Sequence, residues 1–166
     1  MIDLTSTPII ILVILGSVGV ALPAVSIALK ERPSMISYGI ATLIALFASI
    51  GYVLYQIALE HVAPAAIFSQ DVLVDDAFGS LFAIAMLIVA IFTTIGSFSY
   101  MKNKANPSVY FSLILLSTIG MVLVAYSTDL VMLFVAWELM SIPTYILVGF
   151  LKKDPISNEA AIKYFL

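Results

Sequence analysis

Along this chain, polar residues act as punctuation between long apolar runs. Five runs reach spanning length, at residues 8–29, 36–59, 77–100, 109–126 and 130–151. A helix rises ~1.5 Å per residue, so each run meets or approaches the ~20 residues needed to cross a hydrocarbon core ~30 Å thick. Each therefore predicts a membrane-crossing α-helix. A sixth helix is expected to start near Ser157, with Ser157 as its N-cap and Glu159 in the first turn, where an acid suits the helix dipole. The expected architecture is an all-α polytopic bundle forming one membrane domain over 1–166. Because the chain stops inside the sixth helix, it is expected to be a fragment of a longer protein or a truncated reading frame. The link between the second and third runs is longer than the others. Within it, residues 67–74 are a candidate short β-hairpin or interfacial strand, and Asp75 or Asp76 a cap for the third helix.

Composition makes the membrane reading firm. Hydrophobic residues are 63% of the chain, charged residues 10%, and the mean hydropathy is +1.17. Soluble domains average about 25% charged residues. The chain carries no basic patch that could meet phosphate, which excludes nucleic acid as a partner. It has no cysteine, which excludes iron–sulfur ligation, thiolate chemistry and disulfides within it. His61 alone cannot build a bis-histidine haem site or a zinc site, and it reads as a solvated loop residue. Electrons in any associated redox reaction must travel in other subunits. The first eight residues lack a basic residue, and the run after them is too long for a signal-peptide core, so it reads as a retained span.

Charge sets an orientation. Lys30 and Arg32 follow the first run, Lys102 and Lys104 the third, and Lys152 and Lys153 the fifth, whereas the alternate connections hold only Glu60, Asp71, Asp75, Asp76 and Asp129. The positive-inside rule then places the N-terminus outside and the three basic loops in the cytoplasm. Lys152 and Lys153 are also candidate lipid contacts.

Candidate chemistry concentrates in the fifth run. Glu138 lies roughly 14 Å along the helix past Asp129, near mid-membrane. An ionised, unpaired acid there costs several kcal/mol, so it is a functional candidate by default. Pro143 cannot donate to the carbonyl of Leu139, which frees a backbone acceptor and breaks the helix within a turn of the acid. Helical spacing puts Glu138, Ser141, Tyr145 and Gly149 on one face. Such a polar stripe can hold water and let a buried acid exchange a proton. The plainer alternative is an acid locked in a fixed interhelical hydrogen bond. Trp137 either packs against a neighbouring helix or shields the acid. Lys163 follows Glu159 by four residues, the favourable order for a helical pair. It is either a surface ion pair snorkelling to water, or an interior group exchanging protons with Glu138. Asp129 reads as the cap of the fifth helix.

Three segments carry a resemblance: Asp129-Leu130, then Trp137-Glu138-Leu139-Met140-Ser141-Ile142-Pro143-x-Tyr145, then Ser157-Asn158-Glu159-Ala160-Ala161-Ile162-Lys163-Tyr164-Phe165. Together they resemble the proton-translocating, antiporter-like subunits of respiratory complex I, most of all subunit N of NADH-quinone and F420H2 dehydrogenases. The related subunit of multisubunit sodium/proton antiporters is similar at Ala161-Ile162-Lys163-Tyr164. The resemblance implies that Glu138 is the essential acid and Lys163 the lysine that modulates it. It implies a subunit of an NADH- or F420H2-driven quinone (or phenazine) oxidoreductase, embedded in the lipid bilayer among other membrane subunits. No cofactor is expected in this chain, and flavin and iron–sulfur clusters are expected in partner subunits. Family members continue through further helices, so the resemblance implies the N-terminal portion of a longer subunit. Alternative assignments are a sodium/proton antiporter subunit, a membrane-bound hydrogenase subunit, or a non-conducting scaffold.

Overall fold

Each apolar run folds as a helix, and its first turn is set by a polar residue or a proline. The computed structural model describes residues 6–29, 34–59, 72–102, 104–152 and 154–166. It contains α1 (Thr7–Ala28), α2 (Met35–Ala58), α3 (Ala77–Tyr100), α4 (Pro107–Tyr126), α5 (Leu130–Val148) and α6 (Pro155–Phe165). The first five are long and apolar enough to cross a membrane. The leading N–H groups of a helix have no partner within it, and side-chain oxygens supply one. Asp76 accepts from Gly79 N at 2.7 Å, and Asp129 accepts from Val131 N and Met132 N at 2.9 and 3.1 Å. Asp75 works differently from the expected cap of its own helix. Its Oδ2 accepts from Thr7 N at 2.8 Å, so it caps α1 across the bundle.

Several boundaries differ from the sequence reading. Helices α4 and α6 start at Pro107 and Pro155, two residues earlier than expected in each case, because proline's fixed φ and missing N–H suit the first helical position. The cap of α6 is Asp154, which accepts from Ile156 N at 3.0 Å. Ser157 is not a cap: its Oγ donates to the Val148 carbonyl at 2.8 Å and closes the end of α5. Glu159 therefore sits beyond the first turn. Helix α5 ends at Val148 rather than 151, with Gly149 as C-cap. No strand forms among the described residues. Leu73 and Ser127 pair in an isolated antiparallel bridge. Residues 67–71 of the candidate hairpin, together with Lys30, Arg32, Glu60, His61, Asp71 and Lys153, lie outside the described residues.

Helix α4 is the axis of the bundle. It packs on α1, α2, α3 and α5, whereas among the described helices α5 touches only α4 and α6. Leu15, Leu46, Leu87, Phe111 and Leu115 fill the core between the first four helices, all fully buried. By contrast α5 buries only Ala136, Ser141 and Pro143. Hydroxyls at membrane depth mostly donate to the carbonyl one turn back, as Thr42 does to Tyr38 and Ser49 to Ala45, which satisfies them without water.

A second proline sits inside a span. Pro23 of α1 cannot donate to the Gly19 carbonyl. Ser112 of α4 supplies the missing donor, with Oγ 2.5 Å from that carbonyl oxygen. Helix α1 runs through the proline without interruption.

Candidate functional site

Glu138 lies in the middle of α5, half-buried. It makes no hydrogen bond or ion pair among the described residues. One turn on, Ser141 is buried, and Tyr145 lies under α6, with ring contacts to Tyr164 at 5.6 Å and Phe165 at 5.4 Å. Gly149, the last member of the expected stripe, falls past the helix end against Ala161.

Pro143 does not break α5, which continues to Val148. The defect is local, a missing N–H. Helix α4 meets it closely. Ser117 Oγ donates to the Met140 carbonyl at 3.2 Å, one residue past the acceptor that Pro143 leaves free. A Cβ on Gly120 would lie 2.7 Å from Met140 Cα and 2.8 Å from the Leu139 carbonyl carbon, so the two backbones touch there. Only glycine permits that approach. Neither Ser117 nor Gly120 stands out in the sequence. A glycine in mid-span is a faint signal of close packing, and nothing local marks the serine.

An open cavity of ≈490 Å³ lies beside this contact, between α3, α4 and α5. Trp137, Ser141, Thr144 and Tyr145 line it from α5, and Ser117 and Thr118 from α4. Trp137 is 56% exposed and borders the cavity rather than filling the core. Glu138 is not among the lining residues, although Trp137 and Ser141 on either side of it are.

Lys163 Nζ sits 2.6 Å from Glu159 Oε1, and both side chains are largely exposed. No ion pair joins Lys163 to Glu138 among the described residues. Charge is divided between the two ends of the bundle. Lys104, Lys152 and Asp154 border a common cavity at one end. Asp75, Asp76 and Asp129 cap helices at the other. No group of three or more metal-ligating side chains occurs among the described residues.

Comparisons with known proteins bear on the family and the fold. The family model described as "NADH:quinone oxidoreductase/Mrp antiporter, TM" matches residues 127–166, which hold α5 and α6. NADH-quinone oxidoreductase subunit N 1 of Solibacter usitatus is 34% identical over 160 residues, covering 96% of this chain and 31% of that protein. F(420)H(2) dehydrogenase subunit N of Methanosarcina mazei is 39% identical over 100 residues, covering 60% of this chain and 20% of that protein. A chain in the structure of respiratory complex I from Thermus thermophilus with bound aureothin superposes with a TM-score of 0.69. Its identity is 25%, over 93% of this chain and 32% of that one. The chain thus spans about a third of the length of relatives that match nearly all of it. It is a multi-pass membrane protein, homologous to subunit N of the NADH-quinone and F(420)H(2) dehydrogenases.

Proposed function

We propose that the chain is the N-terminal portion of a proton-translocating subunit in a redox-driven NADH- or F420H2:quinone (or phenazine) oxidoreductase. Glu138 is its proton carrier. One observation carries the reading: an acid at the middle of a spanning helix, half-buried, with no fixed partner among the described residues. An acid that has no bond to the other described residues can gain and lose a proton without breaking one. Without cysteine the chain cannot ligate an iron–sulfur cluster; flavin and iron–sulfur clusters are assigned to partner subunits, and the complex reduces the quinone or phenazine. The three basic connections face the cytoplasm.

Lys163 supplies the control. It rests on Glu159, and a shift of its charge toward Glu138 changes the acid's occupancy. At an effective dielectric of ~20, bringing a lysine from ~8 to ~4 Å of an acid strengthens the pair by about 2 kcal/mol. That is more than tenfold in proton occupancy. Ser141 and Tyr145 carry polar groups along the same helix, Trp137 borders the cavity beside it, and Pro143 leaves the Leu139 carbonyl without its helical donor.

Replacing Glu138 with Gln in the assembled complex tests this directly. Proton translocation per electron should fall sharply while the complex still assembles. A scaffold subunit would keep translocation near normal. The second reading, a subunit of a sodium/proton antiporter, draws on the family description that names both activities. It predicts sodium-dependent proton exchange in vesicles with no redox substrate added.

A further inference from the structure

We propose that the cavity at the basic end of the bundle, between the α3–α4 and α5–α6 connections, binds the head group of an anionic phospholipid. Lys104 and Lys152 meet its phosphate, and its acyl chains lie along the outer face of α5. The inference is independent of the role of Glu138 and rests on the charge and the walls of that cavity.

The cavity measures ≈640 Å³, within the ~300–1,000 Å³ of small-molecule sites. Its cations come from two separate connections. Lys104 precedes α4 and Lys152 follows α5, and neither ammonium makes an ion pair among the described residues. The one acid among the described lining residues, Asp154, is already engaged. Its Oδ1 accepts from Ile156 N at 3.0 Å, so its charge sits at the positive end of α6. Two cations therefore share an open space without an answering anion. A phosphate group supplies one.

Charge alone would suit any soluble anion; the rest of the wall selects a lipid. Val109, Ile146, Phe150 and Leu151 line the same space. Val109 of α4 and Ile146 of α5 are exposed, and Ile142, one turn deeper along α5, is exposed as well. The apolar surface thus continues from the lysines toward the middle of the span, on the face set by i, i+4 spacing. The depth is interfacial too. Tyr110 packs its ring on Tyr100 at 6.0 Å and edge-on to Phe150 at 5.1 Å. Aromatic groups of this kind gather at the boundary between head groups and acyl chains. A soluble phosphate would leave Val109 and Ile146 uncovered, and a zwitterionic head group brings a cation of its own to a site that already holds two. A phospholipid with net negative charge answers both demands.

The test uses the assembled complex in phosphatidylcholine vesicles. These are doped either with a photoactivatable phosphatidylglycerol or with a photoactivatable phosphatidylcholine carrying the same chains. Adducts are mapped by mass spectrometry to peptides holding residues 104–109 and 142–152. The expected result is labelling of both peptides, several-fold stronger with phosphatidylglycerol. Lys104→Gln and Lys152→Gln should each weaken it roughly fivefold, the effect of one lysine near an anionic lipid. Lys102→Gln, exposed but off the cavity wall, should leave it unchanged. Excess inorganic phosphate should not displace the lipid. Equal labelling by the two lipids, labelling indifferent to Lys104 and Lys152, or an equal loss in Lys102→Gln would mean annular lipid held by general surface charge, and overturns the proposal. Displacement by inorganic phosphate assigns the lysines to a soluble anion and overturns it as well. No adduct on either peptide in a complex that assembles also overturns it, because the cavity is then covered by protein.

Discussion

Two helices of this bundle carry the same backbone defect and use it differently. Pro23 in α1 and Pro143 in α5 each remove one donor from a helix that nonetheless continues past it. Both defects lie against α4. At Pro23 the repair is complete: Ser112 bonds the Gly19 carbonyl at 2.5 Å, and Leu115 packs beside it. At Pro143 the repair is displaced. Ser117 reaches Met140 at 3.2 Å, one residue past the released acceptor, and the surroundings hold a cavity and a carboxyl with no partner among the described residues. A proline in a spanning helix is thus no sign of function by itself. What separates the two sites is the acid, and the cavity that Trp137 and Ser141 border on either side of it.

The sharpest way to break this contrast is to disable each site in turn. Glu138→Gln should lower proton translocation through this subunit by about a hundredfold, the low end of what a positioned proton-transfer group contributes. Ser112→Ala should leave that translocation unchanged, measured by acidification in vesicles carrying the complex. Equal losses from both would mean that α4 packing, and not the acid, sets the rate. Next in size is Gly120→Val. The added side chain meets the backbone of Met140, and overpacking of this kind costs about 1–3 kcal/mol, read as a lower unfolding temperature of the complex. Ser112→Ala should cost about 1–2 kcal/mol by orphaning the Gly19 carbonyl. Ser117→Ala should cost only about 0.6 kcal/mol, a typical interhelical value for a longer bond. A reversal of that order would show that Met140 depends on α4 more than its distance suggests. The smallest effect on stability belongs to Glu159→Gln. Its pair with Lys163 is exposed and worth about 0.3–0.5 kcal/mol, less in high salt. If Lys163 controls Glu138, the same substitution alters translocation far more than it alters stability.

Five spans and their order were legible because apolar length is a property of the chain alone. So was Glu138, since one charge in a run such as Leu133-Phe134-Val135-Ala136-Trp137 is conspicuous. Helix ends were less legible. Pro107 and Pro155 start their helices where a search for polar caps begins two residues late. The contacts between helices were not legible at all. That Asp75 caps α1, that Ser112 serves Pro23, and that Gly120 admits Met140 depend on register between helices far apart in sequence. Ser157 shows the same limit at short range. Its hydroxyl had two plausible uses, and the tight turn after α5 selected the Val148 carbonyl.

Infrared difference spectroscopy of the assembled complex through turnover addresses Glu138 most directly, with its band assigned by loss in Glu138→Gln. If Glu138 carries protons, a protonated-carboxyl stretch must appear and vanish within each cycle. A carboxyl group held in one state from the first electron to the last would contradict that role.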